Sequence, residues 1–195
     1  AINIQPRVAA FIETGWEPID ANLKGLPETG LVVIGARPST GKTWFALTMM
    51  YRFLKKHKDK VGAFFSAEMP ANELRERLEH MTGKDRNGNR KPLEEDVLKR
   101  LFIDDDPAMT VDVIVNRAAG LENLGIVVVD YADLIVRSFD EPSYTTMYLT
   151  LAKAAKSFKI PLILISQLAG SYTGGIPRPQ NLRYTRLAEA AAWMI

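Results

Sequence analysis

The stretch LVVIGARPSTGKTWFAL, residues 31–47, decides the fold class. A short, unbroken apolar run, LVVIG (31–35), passes directly into GARPSTGKT (35–43), and an amphipathic segment follows at once. Strand, tight loop and helix in that order make the setting of a P-loop, where consecutive backbone N–H groups and a helix N-terminus cradle phosphate oxygens. The phosphate-binding candidates are therefore Gly35, Ala36, Arg37, Pro38, Ser39, Thr40, Gly41, Lys42 and Thr43. Lys42 is expected to reach the β- and γ-phosphates, and the Thr43 hydroxyl to ligate Mg²⁺. In the strict spelling G-x-x-x-x-G-K-[ST] a glycine occupies the position of Ala36; here it stands one residue earlier, at Gly35.

Outward from this loop the pattern repeats. Further short apolar runs, VGAFFS (61–66), LFID (101–104), IVVVD (126–130) and PLILIS (161–166), alternate with helical candidates at 42–56, 71–81, 111–121 and 144–158. Unbroken apolar strands separated by amphipathic helices predict an α/β fold, a mostly parallel sheet with helices on both faces. TGKDRNGNRKP (82–92) and AGSYTGGIPRPQN (169–181) read as exposed loops.

The ends of these strands supply the rest of a nucleotide site. IVVVD ends at Asp130, the acid expected to hold Mg²⁺ opposite Thr43 (Walker B). SAEMP places Glu68 just past a strand, where a carboxylate can accept a proton from water in line with the γ-phosphate. PLILISQ delivers Gln167, an amide suited to sensing that phosphate. The run Asp104, Asp105, Asp106 competes for the metal but reads as a solvated turn before Pro107. His57 and His80 are too far apart to suggest a metal site.

Composition narrows the classes without choosing among them. The chain has 195 residues, 25 Lys plus Arg, 23 Asp plus Glu, and no Cys, so disulfides, thiolate zinc sites and cysteine nucleophiles are excluded. No run approaches the ~18 apolar residues of a membrane span, and the expectation is a soluble cytoplasmic chain, from a bacterial cell or a phage-infected host. A net charge of +2 does not mark a general polyanion binder, but it is uneven. From Arg137 onward seven Lys or Arg face three acids, a local +4 that leaves −2 for the remainder.

Taken in order, GARPSTGKTWFAL, FFSAEMPANELRERL, LFIDDDPAMT, IVVVDYADLI and ILISQL resemble the ATPase domain of DnaB-type replicative helicases, hexameric ring motors with a RecA-like core. The likeness runs from about Thr14 to Trp193. It implies that Lys42, Thr43 and Asp130 bind ATP and Mg²⁺, that Glu68 is the catalytic carboxylate, and that Gln167 senses the γ-phosphate. It also implies two loops that hold single-stranded DNA, here 137–144 and 169–183, with Arg137, Tyr172, Arg178, Arg183 and Arg186 as contacts and Tyr172 or Tyr184 as stacking platforms. A primase or helicase loader is the implied protein partner. After LRYTR the chain departs from the family, reading LAEAAAWMI where an acid-rich helix and another strand are common. The expectation is thus one RecA-like domain over residues 1–195, with a lead-in segment at 1–13, cut short at its C-terminus and lacking the arginine finger that such rings insert into a neighbour. A RecA- or RadA-like recombinase or related DNA-dependent ATPase, and a P-loop ATP sensor or small-molecule kinase, remain as alternatives.

Overall fold

The computed structural model describes residues 10–81, 86–89, 91–136, 138–169, 174–175, 177–182 and 192. Its centre is a five-stranded sheet, β3 (Gly30–Ala36), β7 (Pro161–Gln167), β6 (Leu124–Asp130), β4 (Val61–Ser66) and β5 (Leu101–Asp104), in that spatial order. Every pairing in it is parallel. A short antiparallel pair, β1 (Phe11–Ile12) and β2 (Leu26–Pro27), precedes it and encloses α1 (Glu17–Leu23).

The sheet explains why its strands read as unbroken apolar runs. Alternate residues point to opposite faces, and both faces are covered. Val32, Phe64, Ile126, Val128, Ile163 and Ile165 pack beneath α2 (Lys42–Lys56) and α3 (Ala71–Met81). Leu31, Val33, Phe65, Val127, Val129 and Leu164 face α5 (Val111–Ala119) and α7 (Glu141–Phe158). A single polar residue in the middle of these strands would be buried on whichever side it fell.

Four of the expected elements match closely: α2, α3, β4 and β5 have the predicted bounds. The α7 helix begins earlier, at Glu141, because the Asp140 side chain accepts the Ser143 N–H at 2.8 Å and Pro142 occupies the first turn, where its missing N–H costs nothing. Residues 141–144, expected in a DNA-binding loop, are therefore helical. Three short helices, α1, α4 (Glu95–Lys99) and α6 (Ala132–Ile135), carry too few periodic positions to stand out in the sequence.

The helix that carries the P-loop lysine is held at its far end by Arg100. The fork of this guanidinium donates to the carbonyls of Leu54, His57 and Lys60, each at 2.9 Å, and to the Asp96 carboxylate at 2.6 Å. It thereby satisfies the Leu54 carbonyl, one of the acceptors that a helix terminus leaves without a partner, and ties the turn at 57–60 to it. A lysine has a single ammonium and cannot span four acceptors in that plane. Arg100→Lys is expected to destabilise the fold by roughly 2–3 kcal/mol, the range for hydrogen bonds that involve a charged group. Urea denaturation should show this as a lower midpoint with an unchanged slope.

Candidate nucleotide site

Because the five strands run the same way, β3, β4, β6 and β7 end at one edge of the sheet. The loop after β3 turns back on itself through two left-handed residues, Ser39 (φ 60°) and Gly41 (φ 90°), the second capping α2. Ala36 is still part of β3 and needs no glycine. At Gly35 a Cβ would come within 2.2 Å of Leu182 Cδ2, so a larger residue there would have to displace the end of that leucine side chain.

Inside the loop the Arg37 carbonyl accepts from the Thr40 hydroxyl at 2.7 Å and from the Lys42 ammonium at 3.0 Å, which folds the lysine over the phosphate cradle. The Thr43 hydroxyl donates to Asp130 Oδ2 at 2.6 Å. Since β7 lies between β3 and β6, this contact spans a whole strand and joins the first strand's helix to the end of the third. Asp130 is fully buried, and its other oxygen, Oδ1, has no hydrogen-bond partner among the described residues. Burial pushes its pKa up, and the Glu68 carboxylate adds to this; the Thr43 hydroxyl, Lys42 and Arg77 oppose it. The peptide that follows, Asp130–Tyr131, is cis.

Glu68 sits beyond the end of β4. The Ser66 hydroxyl donates to the Met69 carbonyl at 2.7 Å and accepts the Met69 N–H at 3.1 Å, closing a tight turn that presents Glu68 to solvent before α3 begins. Glu68 is therefore not a helix N-terminal acid. With Lys42, Thr43 and Gln167 it lines a cavity of about 220 Å³. Four residue positions separated by as many as 125 in the chain thus converge on one volume.

The same cavity receives Arg77, from the second turn of α3, which sequence reasoning passed over. Nothing in the run ANELRERLEHM distinguishes Arg77 from Arg75; only the seating of Leu74 and Leu78 in the core decides which arginine turns inward. Phe139 is a second omission, 64% exposed in the stretch before α7.

Other expectations fall differently. Asp104 is not solvated. It is buried and accepts from Arg117 Nη1 at 2.6 Å, while Asp106 takes the second nitrogen of that arginine and Asp105 accepts the Ala71 N–H at the start of α3. The triplet is structural, tying β5 to α3 and α5. His57 contacts the Glu13 carbonyl at 2.7 Å.

Of the expected DNA contacts, Arg137, Tyr172, Arg183 and Arg186 lie outside the described residues, as does Tyr184. Arg178 is exposed at the start of a short 3₁₀ turn, Pro179–Asn181, and its N–H donates to the Asn181 side chain at 2.8 Å. That turn folds back on the phosphate loop: Ala169 N–H donates to the Asn181 carbonyl at 2.7 Å, and Leu182 bridges Leu168. A cavity of about 350 Å³ lies between Ala36, Arg37 and Thr40 on one side and Leu168, Gly174, Gly175 and Pro177 on the other.

The donor set suits a hard divalent cation. A threonine hydroxyl and a carboxylate with one unpartnered oxygen, beside a phosphate cradle, are the oxygen ligands that Mg²⁺ accepts while keeping several waters. Without the cation, a buried carboxylate with a raised pKa weakens the fold once it ionises. The penalty is absent below its unfolded value of about 3.9 and grows as pH rises through the higher folded value. Asp130→Asn is therefore expected to melt a few degrees above the wild type at neutral pH in chelator, since ~1 kcal/mol moves the melting temperature of a chain this size by about 2–4 °C. The gain should shrink as pH falls towards about 4, and Mg²⁺ with nucleotide should stabilise only the wild type; thermal melts across pH test this.

Comparison with known proteins places this arrangement. The family of the DnaB-like helicase C terminal domain matches residues 11–183. The replicative DNA helicase DnaB of Rickettsia bellii is 35% identical over 81% of this chain and 38% of its own length. That of Rhodothermus marinus is 30% identical over 92% of this chain and 22% of its own. The chain thus spans less than two fifths of these curated relatives. Among solved structures, a DnaB-like replicative helicase, described together with its interactions with primase, superposes with a TM-score of 0.75 at 22% identity, covering 98% of this chain and 53% of that one. A KaiC-like protein from Pyrococcus horikoshii OT3 gives 0.69 at 21%, covering 94% and 78%, so the fold is RecA-like. On the match across residues 11–183, this chain belongs to the family of DnaB-like helicase C-terminal domains.

Proposed function

We propose that this chain is the motor domain of a replicative DNA helicase, binding ATP with Mg²⁺ and hydrolysing it to move along single-stranded DNA and unwind duplex. The observation that carries the reading is the cavity shared by Lys42, Thr43, Glu68, Arg77 and Gln167, with the buried Asp130 behind Thr43. A phosphate cradle alone binds nucleotide; a carboxylate placed opposite it supplies a base for hydrolysis.

In this reading the N–H groups of residues 39–43 hold the phosphates, and Lys42 leaves the Arg37 carbonyl to pair with the β- and γ-oxygens. Thr43 and Asp130 would hold Mg²⁺, which when bound neutralises the charge of the β- and γ-phosphates. Glu68 orients the attacking water and accepts its proton. Gln167 and Arg77 contact the γ-phosphate, and loss of that contact on hydrolysis is what the protein senses. Leu168 follows Gln167 directly and pairs with Leu182, so a movement of Gln167 is passed to the segment 177–182 that carries Arg178. Single-stranded DNA would lie against that segment and the stretch before α7, held by Arg137, Arg178, Arg183 and Arg186 with Tyr172 stacking on a base. Self-association into a ring, a hexamer, would bring a neighbour's arginine to each site, and a primase or loader would engage the assembled ring.

Glu68→Gln is expected to lower the ATPase rate by at least about 10²-fold, in the range attributed to general base catalysis, while leaving nucleotide binding within a few-fold of the wild type. Turnover assays with and without single-stranded DNA, beside nucleotide titrations, measure both; full turnover in the variant would remove Glu68 from its role. Phosphate transfer to a metabolite with no effect of DNA would favour the kinase reading instead. Arg183→Ala should weaken binding of an oligothymidylate and reduce the slope of log K against log salt by about 0.7, the value for one phosphate contact on a single strand.

A further inference from the structure

A second cavity, of about 580 Å³, lies along the last turns of α2, beside the end of α3 and the segment that leads into α4. It is separate from the nucleotide site: Arg52 stands ten residues beyond Lys42, about 15 Å along the helix. Among the described residues four cations line it, Arg52, Lys55, Lys56 and Lys91, against one carboxylate, Glu94. In a chain whose net charge is only +2, that is a concentrated patch.

Complementing the helix dipole explains Lys55 and Lys56, which lie in the last turn of α2. It does not explain Arg52, a turn earlier, or Lys91, which comes from a different segment. The cations are also positioned. The Arg52 guanidinium lies 5.5 Å over the Trp16 ring, and the Lys55 ammonium 5.7 Å over Tyr51. An arginine held by its stacked face keeps its N–H edge available for a carboxylate.

Two of the groove's cations already sit against carboxylates of the chain itself. Glu94 pairs with Lys55 at 2.5 Å, and Glu13 of the lead-in segment pairs with Lys56. Side chains in both pairs are 42–59% exposed, so the pairs contribute little to stability and exchange readily with incoming carboxylates. Met81 and Pro92 add an apolar wall. We infer that this groove docks an acidic, partly apolar segment of a partner protein. A peptide is favoured over nucleic acid because the groove lies at the opposite end of α2 from the edge where the strands end, and because the Lys55 and Lys56 ammoniums already pair with carboxylates.

The test is fluorescence anisotropy on the full chain with a short fluorescein-labelled peptide of Glu-Glu-Leu repeats. The peptide should bind saturably and weaken as salt rises. Arg52→Glu and Lys91→Glu should each raise its Kd by roughly tenfold, as expected when a charge at a close pair is reversed, with ATPase activity unchanged and, for Lys91→Glu, an unchanged melting temperature. Arg52→Glu also removes the contact with Trp16, so Lys91→Glu provides the reading if that variant folds poorly. Absence of saturable binding would overturn the inference. So would equal binding of the Gln-Gln-Leu peptide, an equal loss in Lys58→Glu, an exposed cation outside the groove, or displacement of the peptide by an oligothymidylate whose binding the same variants abolish.

Discussion

Strands that run in one direction need helical crossovers on their faces, and in this sheet the crossovers bury both. Most of what the molecule does follows from that constraint. Buried faces exclude polar residues from strand interiors, so polar chemistry is confined to strand ends. Parallelism then gathers those ends on one edge: Thr43 just after β3, Glu68 after β4, Asp130 closing β6 and Gln167 closing β7. An antiparallel arrangement of the same strands would send half of these residues to the opposite side.

At that edge the fold accepts an unfavourable feature. Asp130 is buried, raised in pKa and left with one oxygen unpartnered among the described residues, while Thr43 satisfies the other. The Asp104–Arg117 pair, only one strand from β4, shows how the same protein treats a buried carboxylate whose role is structural: it supplies a guanidinium at 2.6 Å. The contrast between the two acids separates a site suited to a cation from a brace.

The two ends of α2 carry different chemistry. Its N-terminus opens on the candidate nucleotide cavity. Its C-terminus is pinned by Arg100 and lined by cations that face the lead-in segment and the approach to α4. A rigid helix between them is anchored at both ends, and the Arg100 fork is what keeps the lysine end in register with β4.

The α/β class, the phosphate-loop pattern and the candidate roles of Lys42, Thr43, Glu68, Asp130 and Gln167 can be read from the residues alone, because each follows a short apolar run or opens a helix, and such signals are local. The bounds of α2 and α3 were legible for the same reason. Long-range packing set the rest: β7 separates β3 from β6, Leu182 lies against Gly35, Asp104 belongs to Arg117, and Arg77 rather than Arg75 enters the cavity. These depend on contacts between residues far apart in the chain. Strand order and the inward face of a polar helix are set by what packs against them, and no local pattern of residues records that.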